Sequence, residues 1–254
     1  NVDYLLITLL GAAIGSFANV CIYRLPKEQS IIWKPSHCLR CKKKILWYDN
    51  IPLFSYLKLN GKCRKCKKKI SLQYFLVEFI LALIFLTIYL IFGMSTTTLY
   101  FMIFSSIGII IFFIDLKHYI IPDSLNFLLM AVGLLKSFDP SLNTTLFPNL
   151  VNSIIGGGVG YLIIFSIIYF YKKLRNIDGM GLGDAKLLAA LGFWFGWKAI
   201  PCILFFSSLI ALAWVLPSLY SKRKNLLSKI PFGPYLIIGT ITYVLLLDQI
   251  KFFI

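Results

Sequence analysis

Apolar and polar positions along this chain fall into long blocks. Eight apolar runs lie at roughly 4–22, 74–92, 98–114, 121–136, 150–171, 185–197, 199–219 and 231–250. Most are joined by short polar stretches, but about fifty residues separate the first run from the second. Crossing a bilayer takes about 20 helical residues. The pattern therefore predicts an all-α polytopic membrane protein of about eight transmembrane helices. The runs at 121–136 and 185–197 are short, so they are expected to tilt or to sit partly behind other helices. The first run lacks a small-residue cleavage site and is preceded by Asp3, so it reads as a retained span and not a removed signal peptide. Three parts follow: a first helix at 1–22, a loop domain at 23–73 and a seven-helix membrane core at 74–254.

Composition strengthens the membrane reading. Hydrophobic residues make up 59% of the 254, against about 45–50% in soluble domains. Charge then gives an orientation. The net charge is +16, and fourteen Lys/Arg fall between Tyr23 and Gln73. Further basic residues follow the third, fifth and seventh runs, whereas the opposite faces hold only Lys136, Lys198 and Lys251. By the positive-inside rule the 23–73 loop is cytoplasmic and both termini lie outside. Such clusters beside membrane spans attract anionic lipid. The loop lacks the repeated aromatics of a stacking platform, so no nucleic-acid partner is expected.

That loop carries H-C-L-R-C and K-C-R-K-C, two C-x-x-C pairs with 21 residues between them. Cys38, Cys41, Cys63 and Cys66 can together supply a tetrahedral, four-thiolate zinc site, which leaves no open position for water and is therefore structural. A loop this small has little core of its own, and a metal would replace the missing burial. Disulfides or free thiols are the alternatives; a cytosolic location disfavours the former. Cys21 and Cys202 fall within apolar runs and read as packing residues.

Only ten acidic residues exist, so candidates for chemistry can be found by elimination. Asp115 ends the third run, in F-F-I-D-L-K, and Asp184 opens the sixth, in G-M-G-L-G-D-A-K. The topology puts both at one membrane boundary. Two carboxyls within a few Å share a proton, so that one serves as general base on water and the other as general acid. That is aspartic peptidase chemistry. Gly181 and Gly183 would let backbone approach a substrate closely, or would serve helix packing. Asp123, after Pro122, reads as a charge at a helix N-terminus. Asp178 reads as a loop carboxylate ordering the glycine run. Glu78 either meets a Lys or Arg or touches substrate. Lys117 and Lys186 stand two positions after the aspartates, off their helix face, and are expected to reach towards lipid headgroups. His37 and His118 have no nucleophile in sequence context. Two other classes stay open: a transporter using intramembrane carboxylates, and a non-catalytic assembly factor.

Through these residues the chain resembles the bacterial prepilin peptidases, or type IV leader peptidases, which are intramembrane aspartyl proteases with a GxGD motif. The likeness runs through G-S-F-A-N-V-C-I-Y-R-L-P at 15–26, both C-x-x-C pairs, N-I-P-L-F-S-Y-L at 50–57 and I-S-L-Q-Y-F-L-V-E at 70–78. It continues through D-L-K-H-Y-I-I-P-D, the glycine motif and P-F-G-P at 231–234. The resemblance implies cleavage of the basic leader of type IV prepilins and of type II secretion pseudopilins, after a glycine, at the cytoplasmic face of the inner membrane. The positions matching its catalytic pair are Asp115 and Asp184. It also implies methylation of the new N-terminus from S-adenosylmethionine, at a site no glycine fingerprint reveals.

Overall fold

The computed structural model describes residues 2–33, 35–142, 146–176, 181–220 and 230–250. Among them every long element is helical: α1 (Val2–Arg24), α2 (Phe54–Lys58), α3 (Leu72–Phe92), α4 (Thr96–His118), α5 (Asp123–Lys136), α6 (Leu150–Arg175), α7 (Leu182–Phe195), α8 (Ala199–Tyr220) and α9 (Gly233–Ile250). Apart from the single turn of α2, these follow the eight apolar runs. Five helices are long and apolar enough to cross a membrane: α1, α3, α4, α6 and α8. The remaining three long helices are shorter. The chain divides into two compact units, residues 1–110 and 111–254.

In the first unit, α1 packs along α3. Two glycines one helical turn apart, Gly11 and Gly15, make this possible. A Cβ on Gly11 would stand 2.7 Å from the Leu81 carbonyl oxygen, and one on Gly15 would stand 2.6 Å from the Glu78 Cα. The helix backbones therefore touch, as small-xxx-small pairs allow in lipid, where dispersion replaces the hydrophobic effect as the driving force.

In the second unit α7 is central. Its 14 residues rise only about 21 Å, less than the hydrocarbon thickness of about 30 Å. It does not need to meet lipid, because Ala185 and every residue from Leu187 to Gly192 are buried, as are Trp194 and Phe195. The expectation that this short run sits behind other helices holds. Against α6 the contact is again glycine on glycine: a Cβ on Gly192 would collide with the Gly156 carbonyl, and one on Gly160 would stand 2.6 Å from the Leu188 carbonyl oxygen. On α5, Leu125, Asn126, Leu129, Gly133 and Lys136 are buried, a stripe at helical spacing.

Lys136 departs from its expected place among loop charges. It is fully buried, its Nζ donating to the Trp194 carbonyl at 2.7 Å and lying 4.4 Å from the Phe147 ring centroid. A carbonyl and an aromatic face thus replace part of the cation's hydration.

Candidate active site and metal centre

Both sequence-selected aspartates lie in the second unit: Asp184 follows Gly183 and Asp115 bonds Gly233, two glycines that both lie against Ile121. The two carboxyls differ in setting. Asp184 is the third residue of α7, with Gly181 as N-cap. Its own N–H donates to the Gly181 carbonyl at 3.2 Å, and its carboxylate stands at the helix end whose dipole favours an anion. Asp115 stands in the last turn of α4, the end whose dipole opposes an anion. It is buried, and its Oδ2 accepts from the Gly233 N–H at 2.9 Å. Gly233 begins α9, so the N-terminal end of one helix offsets the C-terminal end of another. The contact needs glycine: a Cβ there would lie 2.8 Å from Asp115 Oδ2.

The remaining predicted residues divide. Gly183 packs: a Cβ would meet Ile121 Cβ at 3.3 Å, and the Gly183 carbonyl accepts from Asn126 Nδ2 at 3.3 Å. Gly181 is exposed, and among the described residues a Cβ there would make ordinary contact, 3.8 Å from Asp184 Oδ2. The side chain of Ile121 also lies against Gly233, 3.0 Å from where a Cβ would be. It therefore touches the N-terminal ends of both α7 and α9. Asp123 lies in the first turn of α5, as expected, and is paired. Both of its carboxylate oxygens accept from Lys186 Nζ at 2.7 Å. That corrects the reading of Lys186 as a headgroup-seeking side chain; the pair ties α5 to α7. Asp178 lies outside the described residues. Glu78, in the first unit, meets no basic side chain among the described residues; its Oε2 accepts from the Leu53 N–H at 2.7 Å. The bond to Leu53 supports a residue with left-handed φ of 61°, a strained setting for leucine.

The cysteine loop is built as a repeat. Cys38 N–H donates to the Lys43 carbonyl and Lys42 N–H to the Cys38 carbonyl. Twenty-five positions on, Cys63 N–H donates to Lys68 and Lys67 N–H to Cys63. Lys42 and Lys67 both take φ of 56°, and one antiparallel bridge closes each knuckle, His37 with Lys44 and Lys62 with Lys69. The sequence carries the signal, C-K-K-K-I at 41–45 and again at 66–70. The four Sγ atoms lie within 4.8 Å of one another, with Cys38 and Cys66 Sγ 3.9 Å apart. A tetrahedron with Zn–S of about 2.3 Å has edges of about 3.8 Å, so the donor set fits zinc. None of the six cysteines is in a disulfide. Arg64, beside the second knuckle, grips Asp49 with two hydrogen bonds of 2.7 and 2.6 Å. Those bonds hold the Asp49 carboxyl below the usual carboxylate range.

Gly233, Ile121 and Asn126 were not singled out as site residues from sequence. Only the Gly-Pro opening the last apolar run hinted at the first, since it marks a helix start free of a Cβ.

Comparison with known proteins agrees with this layout. Residues 9–92 match the sequence model of the bacterial peptidase A24 N-terminal domain, and residues 102–216 that of the type IV leader peptidase family. A "Prepilin leader peptidase/N-methyltransferase" of Xanthomonas campestris pv. campestris is 36% identical, the alignment covering 91% of this chain and 86% of the relative. Proteins of the same description from Pseudomonas aeruginosa (34% identical; 95% and 90% covered) and Neisseria gonorrhoeae (34%; 92% and 87%) are also similar. No solved structure matches.

Proposed function

The chain belongs to the type IV leader peptidase family, and we propose that it is a membrane aspartic endopeptidase whose catalytic pair is Asp115 and Asp184. Its substrates on this reading are type IV prepilins and pseudopilins, cut after a glycine at the cytoplasmic membrane boundary. The observation that carries the reading is that the C-terminal end of α4 and the N-terminal end of α7, far apart in sequence, meet around Ile121, which lies against both Gly183, next to Asp184, and Gly233, whose N–H bonds Asp115. One unprotonated carboxylate takes a proton from water. The water oxygen attacks the scissile carbonyl carbon, and the protonated partner gives its proton to the carbonyl oxygen. Collapse of the tetrahedral species breaks the C–N bond as the leaving nitrogen takes a proton from the pair. Gly233 N–H holds the Asp115 carboxylate in place, and the N-terminal end of α7 favours the charge on Asp184. The exposed Gly181, without a Cβ, would let an extended substrate backbone come close.

Zinc in the four-cysteine site would fix the two knuckles against each other. We further propose that the new N-terminal amine is then methylated. S-adenosylmethionine supplies the methyl group: the amine lone pair takes the carbon, the C–S bond pair stays on sulfur as a thioether, and the amine sheds a proton. The basic clusters support a cytoplasmic position for the cysteine loop and the aspartates, next to anionic lipid. Mass spectrometry of a prepilin incubated with the purified protein and S-adenosylmethionine tests both activities. The expected product begins after the leader glycine and carries one N-methyl group. An intact precursor would refute the peptidase reading, and a cut but unmethylated one would refute the second activity.

A further inference from the structure

Asp184 sits on a turn that holds its own shape poorly. It lies in the first turn of α7, whose N-cap, Gly181, contributes no side-chain hydrogen bond. The first four N–H groups of a helix have no partner within it, and a capping side chain usually steadies that turn. Gly183 loosens it further, because glycine loses the most conformational freedom on ordering. Acid–base chemistry asks the opposite of this carboxylate, since a proton is passed on only from a fixed geometry. The order has to come from outside α7.

The first turns of α5 supply it through two polar ties. Both carboxylate oxygens of Asp123 accept from Lys186 Nζ at 2.7 Å. One turn on, Asn126 Nδ2 donates to the Gly183 carbonyl at 3.3 Å. Asp123 and Asn126 are three apart on α5, as are Gly183 and Lys186 on α7, so each pair shares a helix face. The Gly183 carbonyl belongs to the peptide unit that contains the Asp184 nitrogen. Because that unit is planar, a bond to its oxygen also fixes the direction in which the Asp184 backbone sets out.

Asn126 is a poor choice for stability alone. It is fully buried, yet among the described residues its Oδ1 has no hydrogen-bond partner. A buried acceptor left open is unfavourable, and leucine would fill a similar volume without one. Other ties between α5 and α7 lie at the far end. There Lys136 Nζ donates to the Trp194 carbonyl at 2.7 Å and Trp194 Nε1 to the Leu129 carbonyl at 2.8 Å. Trp194 is about 15 Å along α7 from Asp184, at 1.5 Å per residue, so these bonds join the helices without reaching the site. Resting on the peptidase reading above, we infer that the start of α5 is a positioning clamp for Asp184. Asn126 acts on it through the Gly183 peptide, and the Asp123–Lys186 pair holds the same turn.

The test is cleavage of one prepilin by the full-length protein in detergent, with kcat and KM measured separately and unfolding temperature followed alongside. Asn126→Leu is expected to lower kcat by about tenfold or more, with KM within about twofold and the unfolding temperature not lowered. Lys136→Met cuts a tie between the same two helices at the far end, and should leave kcat at the wild-type value whatever it does to stability. The Asp123–Lys186 pair is partly exposed and can be altered without putting folding at risk. Asp123→Asn and Lys186→Met should each lower kcat by about threefold or more, and the double variant no further than either, because one interaction is lost in all three. A kcat kept by Asn126→Leu, a raised KM in place of a lowered kcat, or an equal fall in Lys136→Met would overturn the clamp and leave the peptidase reading standing. If Asn126→Leu does not fold, the pair decides: unchanged kcat in the single variants, or losses that multiply in the double, would overturn the clamp. No cleavage by wild-type protein would overturn the peptidase reading and the clamp with it.

Discussion

The cysteine loop and the bundle around α7 solve opposite problems. The loop is short and carries many like charges, so its order comes from short-range backbone hydrogen bonds, the same at two places 25 residues apart, and from four cysteine thiols converging on one point. The bundle has apolar residues in excess, which in lipid give little reason to prefer one packing. Its order comes from glycines that let α6 and α7 touch along their backbones, with few internal polar ties such as Lys136 to Trp194 and Lys186 to Asp123. A metal can be removed from the first without touching the second, whereas a single methyl group disrupts the second without touching the first.

The largest effect should come from the carboxylates. Asp115→Asn or Asp184→Asn is expected to lower prepilin cleavage by about 10³-fold or more, since either loss removes one half of the acid–base pair. Zinc content should not change, and a parallel fall in zinc would break the separation between the two regions. Next is Gly192→Ala. Its Cβ would run into the Gly156 carbonyl, and overpacking of this kind costs about 1–3 kcal/mol or more. Thermal unfolding should show the second unit destabilised while the four-thiolate site stays loaded. Cys38→Ser, or a strong chelator, is expected to strip zinc and increase amide exchange across 36–70, with cleavage largely kept. Full zinc occupancy in that variant would refute the four-cysteine site.

The smallest effect should be Asp49→Asn, which removes the partner of the exposed Arg64. Asp49 titrates below its unfolded value because Arg64 hydrogen-bonds its charged form. Its contribution is therefore complete above the ordinary aspartate pKa of about 3.9 and is lost as pH falls through the lowered folded value. Wild type and variant should differ slightly in unfolding temperature at pH 7 and converge in strong acid.

Those two regions were also unequally legible in the sequence. Apolar runs located all eight long helices because helix formation in a membrane is dictated by length and hydropathy. The cysteines announced themselves by spacing, and the C-K-K-K-I repeat even encodes the twin knuckles. Asp115 and Asp184 stood out because carboxylates are costly beside hydrocarbon. Gly233 did not, because it contributes a backbone N–H that any residue has, and its special property is the missing Cβ beside a residue 118 positions away. Lys186 was misread for a related reason: its partner, Asp123, is 63 positions distant on another helix, and local helix geometry cannot show such a pairing. Arg24 was counted among the basic residues of the 23–73 loop, and only the fold shows it buried at the end of α1.

The central claim is that Asp115 and Asp184 act as one unit, and a double-variant cleavage assay tests it most directly. With purified wild type, Asp115→Asn, Asp184→Asn and the double variant acting on one prepilin, each single change should remove cleavage and the double should be no worse than either. Near-wild-type cleavage in one single variant, or losses that multiply in the double, would contradict it.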